Sequence, residues 1–233
     1  MTEQLTLTSI VDEVNTKRLE GKPHCCGRRV KLCRLIADRQ GVPGSYCGLF
    51  APYEGELDNG YRFFTGERIS TNAGMRHILG EEALRALVIM EPKAKFANAA
   101  IDRAAEAMSQ QLHRSETEHG GGLRDRGLYC CMRCSVALWR VYNVGVIEEA
   151  AQRLTCGFKI LKTKRDGKGA WRSFPFHYTL SALLDAKHEL ADKELRYALP
   201  AIESRYKRTA KASADVYVQR RIKLMELAMQ RIG

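Results

Sequence analysis

The run from Gly157 to Trp171 constrains this chain more than any other stretch. A helical segment, Gly157-Phe-Lys-Ile-Leu161, enters the polar run Lys162 to Lys168 and closes on Gly169-Ala-Trp171. Glycine permits the tight reversal, and tryptophan is a large apolar plug that seeks cover beneath it. Together they predict a helical hairpin locked onto a neighbour, as stacked repeats require. A second copy lies at an offset of 45 residues. Cys134-Ser-Val-Ala-Leu-Trp139 aligns with Thr179-Leu-Ser-Ala-Leu-Leu184, placing Ala137 on Ala182 and Leu138 on Leu183. A fixed period of this length is the mark of repeated supersecondary units.

The rest of the chain reads as helix punctuated by turn residues. A first helix starts at a Thr8 or Ser9 cap and ends near Gly21, and a second covers about 28–39. Residues 40–69 carry Gly41, Pro43, Gly44, Gly48, Pro52, Gly55, Gly60 and Gly66, which predicts an ordered, irregular connection with room for short strands. Ile78, Leu79, Leu84 and Leu87 predict a helix with one apolar side from Ser70 or Thr71 to Met90, stopped by Pro92. Further helices are expected over 94–113, 129–142, 147–164 and 174–187, with two more reaching Ile232, and a loop holds Gly120-Gly121-Gly122. In the last helix Val218, Ile222, Met225, Met229 and Ile232 form a narrow apolar stripe suited to docking on its own domain. The organisation expected is all-α, with N-terminal helices and connection over 1–69, a helical repeat core over 70–190 and basic C-terminal helices over 191–233 packing on that core.

The segment 157–171 resembles the repeat of squalene and terpene cyclases and protein prenyltransferase β-subunits, the prenyltransferase and terpenoid-cyclase-like α/α-toroid group. Gly157, Leu161, Gly169 and Trp171 fall where that signature wants them, and Asp166-Gly167 matches its turn. Ile160 stands where an aromatic is usual and Arg165 where a glutamine is usual. The resemblance is best over 128–187. It implies helical hairpins forming a partial toroid or arc, whose inner helices line a concave pocket for an apolar, isoprenoid-like or peptide-like ligand. Tyr129, Trp139, Gly157, Gly169, Trp171 and Phe176 are the pocket or repeat residues it singles out. The family's chemistry is not visible: neither an aspartate-rich motif nor an Asp-any-Cys zinc pair occurs.

Chemistry resides instead in thiols. Cys131-Met-Arg-Cys134 has the spacing of a zinc or redox pair, and a helix N-terminus with Arg133 favours thiolate. By the repeat offset His177 lies opposite Met132, so Cys131, Cys134 and His177 are candidate ligands of one zinc ion in a transferase-like enzyme, while a regular helix would point Cys130 elsewhere. The alternative is that these are small core residues. His24, Cys25, Cys26, Cys33 and Cys47 also offer ligands, at spacings unlike a zinc finger. Glu81 and Glu82 are adjacent on a helix and split between its faces, which excludes an acid–base pair.

The net charge of +11 gathers in two stretches. Residues 21–39 hold six basic residues against Asp38, and 204–233 hold eight against Asp215 and Glu226. Such patches suit nucleic acid, an acidic protein or a solvated helix face. No apolar run approaches the roughly 18 residues of a membrane span, and the N-terminus lacks a secretory pattern, so a cytoplasmic protein with reduced cysteines is expected.

Overall fold

Thr6, rather than Thr8 or Ser9, starts the first helix. Its hydroxyl accepts from the Ser9 amide while the Ser9 hydroxyl accepts from the Thr6 amide, a reciprocal cap that satisfies two otherwise orphaned donors. The computed structural model describes residues 5–69, 71–118, 126–209 and 213–233. Within them lie α1 (Leu7–Leu19), α2 (Cys26–Ala37), α3 (Asn72–Ile89), α4 (Lys95–Glu118), α5 (Met132–Tyr142), α6 (Ala150–Thr163), α7 (Phe176–Asp185), α8 (Glu189–Arg208) and α9 (Val216–Ile232). The fold is all-α apart from a small antiparallel pair, β1 (Tyr61–Arg62) and β2 (Arg68–Ile69), in register Tyr61 with Ile69 and Arg62 with Arg68. The Gly120-Gly121-Gly122 loop lies outside the described residues. No described helix is long and apolar enough to cross a membrane.

Odd-numbered helices contact in series: α1 packs on α3, α3 on α5, α5 on α7, α7 on α9, and α9 meets α1 again. Among the even-numbered helices, α2 packs with α4 and α6 with α8. Helices α1 and α9, from the segments expected to flank the repeat core, pack on α3 and α7 respectively. The apolar stripe of α9 docks on the chain's own α7 and α8, with Ile222 and Met225 buried.

The hairpin signature does what its residues require. Trp171 is buried, donates from Nε1 to Glu194 Oε2 at 2.9 Å and stacks on Phe176, pinning the turn to α8. Gly169 has φ +86°, and a Cβ there would lie 2.8 Å from Ala201 Cβ. Gly157 clears space for Trp139: a Cβ would stand 2.4 Å from Trp139 Nε1, which donates to Gly127 O at 2.6 Å. Phe158 and Phe174 complete the cover of that ring.

Two expectations fail in an informative way. Helix α3 is not one-sided: His77 to Leu87 are all buried, because α1, α2, α4 and α5 surround it. Helix α5 begins at Met132 instead of Tyr129, so Cys130 and Cys131 precede it.

Candidate functional site

Six polar side chains from four helices meet in the interior. Glu82 and Arg85 come from α3, three residues apart and so on one face. Asn15 comes from α1, Arg140 from α5, and Tyr178 and Asp185 from α7. Arg140 bridges the two carboxylates, with Nη1 2.6 Å from Glu82 Oε1 and Nε 3.0 Å from Asp185 Oδ2. Arg85 holds Asp185 Oδ2 at 2.7 Å and Asn15 Oδ1 at 2.6 Å. Asn15 Nδ2 donates to Glu82 Oε2 at 3.2 Å, and the Tyr178 hydroxyl donates to Glu82 Oε1. Arg18 reaches Asp185 Oδ1 at 3.4 Å from the exposed side.

Burying charges is costly unless they are paired and hydrogen-bonded, and this set pairs two anions with two fully buried cations. Burial drives the Asp185 carboxyl upward, but Arg85, Arg140 and Arg18 outweigh it and hold the group below the ordinary aspartate value. Burial and its guanidinium neighbour Arg140 lower Arg85. Burial also opposes the charge on Arg140, yet Glu82 and Asp185 raise it above the usual arginine range. Every one of these groups is occupied by another, so the set is a structural floor and not a free acid or base.

Above that floor opens a cavity of about 770 Å³, bounded by the starts of α1 and α9 and by the β1–β2 hairpin. Val11, Tyr61, Phe63, Phe64 and Ile69 give it apolar walls, and Glu82 with Tyr178 its base. Phe63 stacks on Tyr178 at 4.0 Å between centroids. Arg62 and Arg68 also line it, directly opposite one another across the hairpin and exposed. Arg62 donates to Gly66 O at 2.8 Å, and among the described residues neither arginine meets a carboxylate. Arg220, deeper in, is neutralised by Asp12. A smaller cavity of about 210 Å³ lies on the other side of the network, against Arg85, Arg140 and Asp185.

No family model, curated protein or solved structure matches the chain. Its chemistry is therefore read from its own side chains.

The thiols assemble differently from expectation. Cys131 and Cys134 come together, with Sγ atoms 3.4 Å apart, and Cys130 joins them, its Sγ 3.5 Å from that of Cys134. Cys130 was expected to point away; it does not, because it sits before α5 with φ 30° rather than on a regular helix. His177 stays apart. It lies one residue into α7 and turns toward the hairpin and α9, its Nδ1 3.8 Å from Glu67 Oε1. Burial, with Arg221 and Arg205 nearby, lowers its imidazole to about 3. Burial pushes the Cys131 thiol up, but hydrogen bonds from the Cys134 amide and thiol hold it below the ordinary value; burial raises Cys130 and Cys134. The N-terminal candidates disperse: Cys25 and Cys26 are exposed, Cys33 packs by Met90 and Cys47 by Met108.

Tyr129 is buried away from both cavities; its hydroxyl meets that of Tyr46, and its amide donates to Ser135 Oγ at 2.8 Å. Phe176 is buried between Trp171 and Arg205, a packing role like those of Trp139 and Trp171. Several arginines of the two basic stretches have partners within the chain. Arg28 binds Glu13, Arg34 covers Phe96, and Arg39 donates to Ala51 O and Pro52 O. Arg221 donates to Thr65 O, and Arg231 to Asp192 and to three carbonyls ending α7.

The network residues escaped the sequence reading, although a signal existed. The 45-residue offset that aligns Trp139 with Leu184 puts Arg140 on Asp185, the next pair along, and these two are bonded.

Proposed function

We propose that the protein binds a small molecule with an apolar body and an anionic head, of the isoprenoid phosphate type, in the cavity under the β1–β2 hairpin. The observation that carries this reading is the juxtaposition of Arg62 and Arg68. Like charges placed directly across a strand pair repel, and no carboxylate among the described residues relieves them. A phosphate between the two guanidiniums would, since arginine presents donors in a fork that suits it. The aromatic walls beside them take an apolar chain, with Phe63 and Tyr178 stacked at its deep end. This agrees with the cyclase and prenyltransferase resemblance of the Gly157–Trp171 turn. The chain supplies binding here, because the carboxylate at the cavity base is already fully engaged by Arg140, Asn15 and Tyr178.

Calorimetry with farnesyl diphosphate, farnesol and inorganic pyrophosphate tests it. Farnesyl diphosphate should bind saturably, with the alcohol and the free anion each much weaker. Replacing Arg62 and Arg68 with alanine should weaken it by about tenfold or more per guanidinium, the worth of a charge-assisted hydrogen bond. Binding that ignores the double substitution, or no saturable binding below about millimolar ligand, refutes the proposal.

A further inference from the structure

Cys130, Cys131 and Cys134 lie outside the cavity under the hairpin. Their Sγ atoms all lie within 4.8 Å of one another, and they are the one such group of potential metal ligands among the described residues. Three features set them apart from ordinary core cysteines. Cys130 and Cys131 are exposed while Cys134 is buried, so the cluster sits at the surface, where packing does not require sulfur. Cys130 holds φ 30°, a left-handed conformation that a side chain resists and that here turns its thiol onto Cys134. Cys131 is the N-cap of α5, so the cluster faces the positive end of the helix, beside Arg133.

The spacings are those of free thiols and suit a shared ion. Separations of 3.4 and 3.5 Å exceed a disulfide bond of about 2.05 Å by far. They approach the edge of a tetrahedron of sulfurs about 2.3 Å from a zinc ion, which is about 3.8 Å. Soft thiolates select zinc and copper(I) over hard cations.

We propose that Cys130, Cys131 and Cys134 form a three-thiolate site for a thiophilic metal ion, zinc foremost, with its fourth position open to solvent or to an external ligand. No histidine or carboxylate belongs to the set. An open position distinguishes such a site from a closed structural one and leaves the ion exchangeable. On binding, each thiol that is protonated gives up its proton to solvent as its sulfur coordinates, so uptake releases protons.

The test uses the full chain, reduced and stripped with a chelator, titrated separately with zinc, cobalt(II) and copper(I). Native mass spectrometry should find one ion per chain, and the cobalt form should show thiolate-to-metal charge-transfer absorption. Cys130→Ser, Cys131→Ser and Cys134→Ser should each weaken zinc by about two orders of magnitude or more, the share of one ligand in a typical site. Cys25→Ser with Cys26→Ser, and His177→Ala, should change it less than twofold. Because Cys130 and Cys131 are exposed, their serine variants keep the fold, which circular dichroism checks. Copper(I) displacing zinc from the same three cysteines also supports the site. Zinc stoichiometry unchanged in Cys130→Ser/Cys131→Ser, equal loss in His177→Ala, or no metal retained by the reduced chain overturns it.

Discussion

Arg140→Met asks the most of the buried network, since it keeps an unbranched apolar stem and deletes the guanidinium with its charge. In the intact ring Glu82 and Asp185 face Arg85 and Arg140, and the four charges cancel. After the substitution Arg85 keeps Asp185 at 2.7 Å but stands 3.7 Å from Glu82. Glu82 is left with Asn15 and Tyr178 as neutral donors. An uncompensated buried charge of this kind costs about 3–5 kcal/mol. At about 2–4 °C per kcal/mol for a chain of this size, the melting temperature should fall by about 6–20 °C. Denaturant unfolding followed by two probes gives the free energy and checks that the transition is two-state. Adding Glu82→Gln to Arg140→Met restores neutrality and should recover a large part of the loss, so the two changes are strongly non-additive.

The pH dependence supplies an independent check. The Asp185 carboxyl is depressed below its unfolded value of 3.8 by its arginines. The stabilisation stored in that shift is present above 3.8 and is lost as pH falls through the folded value. Protonated Asp185 no longer needs Arg140, so the gap between wild type and Arg140→Met should narrow in acid. A loss under about 1 kcal/mol at neutral pH, additivity with Glu82→Gln, or a gap that widens in acid would refute the electrostatic account.

Other residues give sharper, smaller tests. Glu81 is buried with His77 Nε2 2.9 Å away, and burial raises its carboxyl above 4.5; stability should therefore fall as pH rises from 4.5 through the folded value, and Glu81→Gln should remove that slope and stabilise the neutral-pH protein in denaturant titrations. Gly157→Ala drives a methyl into Trp139 and should cost about 1–3 kcal/mol by overpacking, with a changed near-ultraviolet circular dichroism signal from that ring. The His177 imidazole, lowered to about 3 by burial and by Arg221 and Arg205, should show flat proton shifts in magnetic resonance from about pH 5 to about 8, where an ordinary histidine titrates.

Much of the scaffold was legible because local rules act locally. Thr71 caps α3 as its position before the apolar run suggests, and the Gly169–Trp171 turn is reversed and covered as its residue types demand. Glu81 and Glu82 do part company, one to His77 and the other to Arg140, because neighbours on a helix point about 100° apart. The interior was illegible for the opposite reason. Arg85, Arg140 and Asp185 look like residues of a solvated face until a closed series of helices turns that face inward. Nothing within one helix reports that the next helix carries the partner. Helix α5 starts three residues later than expected, at Met132, and that change brings Cys130 rather than His177 beside Cys131 and Cys134.

The same closure explains why the charged set and the cavity occur together. Helices α1, α3, α5, α7 and α9, each in contact with the next and α9 with α1, between them supply the charged set and much of both cavity linings. Asn15 and Phe64 border both the 770 Å³ and the 210 Å³ cavities, and between them Glu82 and Tyr178 face the larger space while Arg85, Arg140 and Asp185 face the smaller. The network is therefore a partition across the ring. Because its charges cancel and Glu82 accepts from Arg140, Asn15 and Tyr178, it presents the larger cavity with a tyrosine ring and an engaged carboxylate instead of a free ion. In the proposed binding mode, Arg62 and Arg68 are the cavity-lining cations that meet no carboxylate among the described residues, so an anionic head held between them would leave an apolar end against Phe63 and Tyr178.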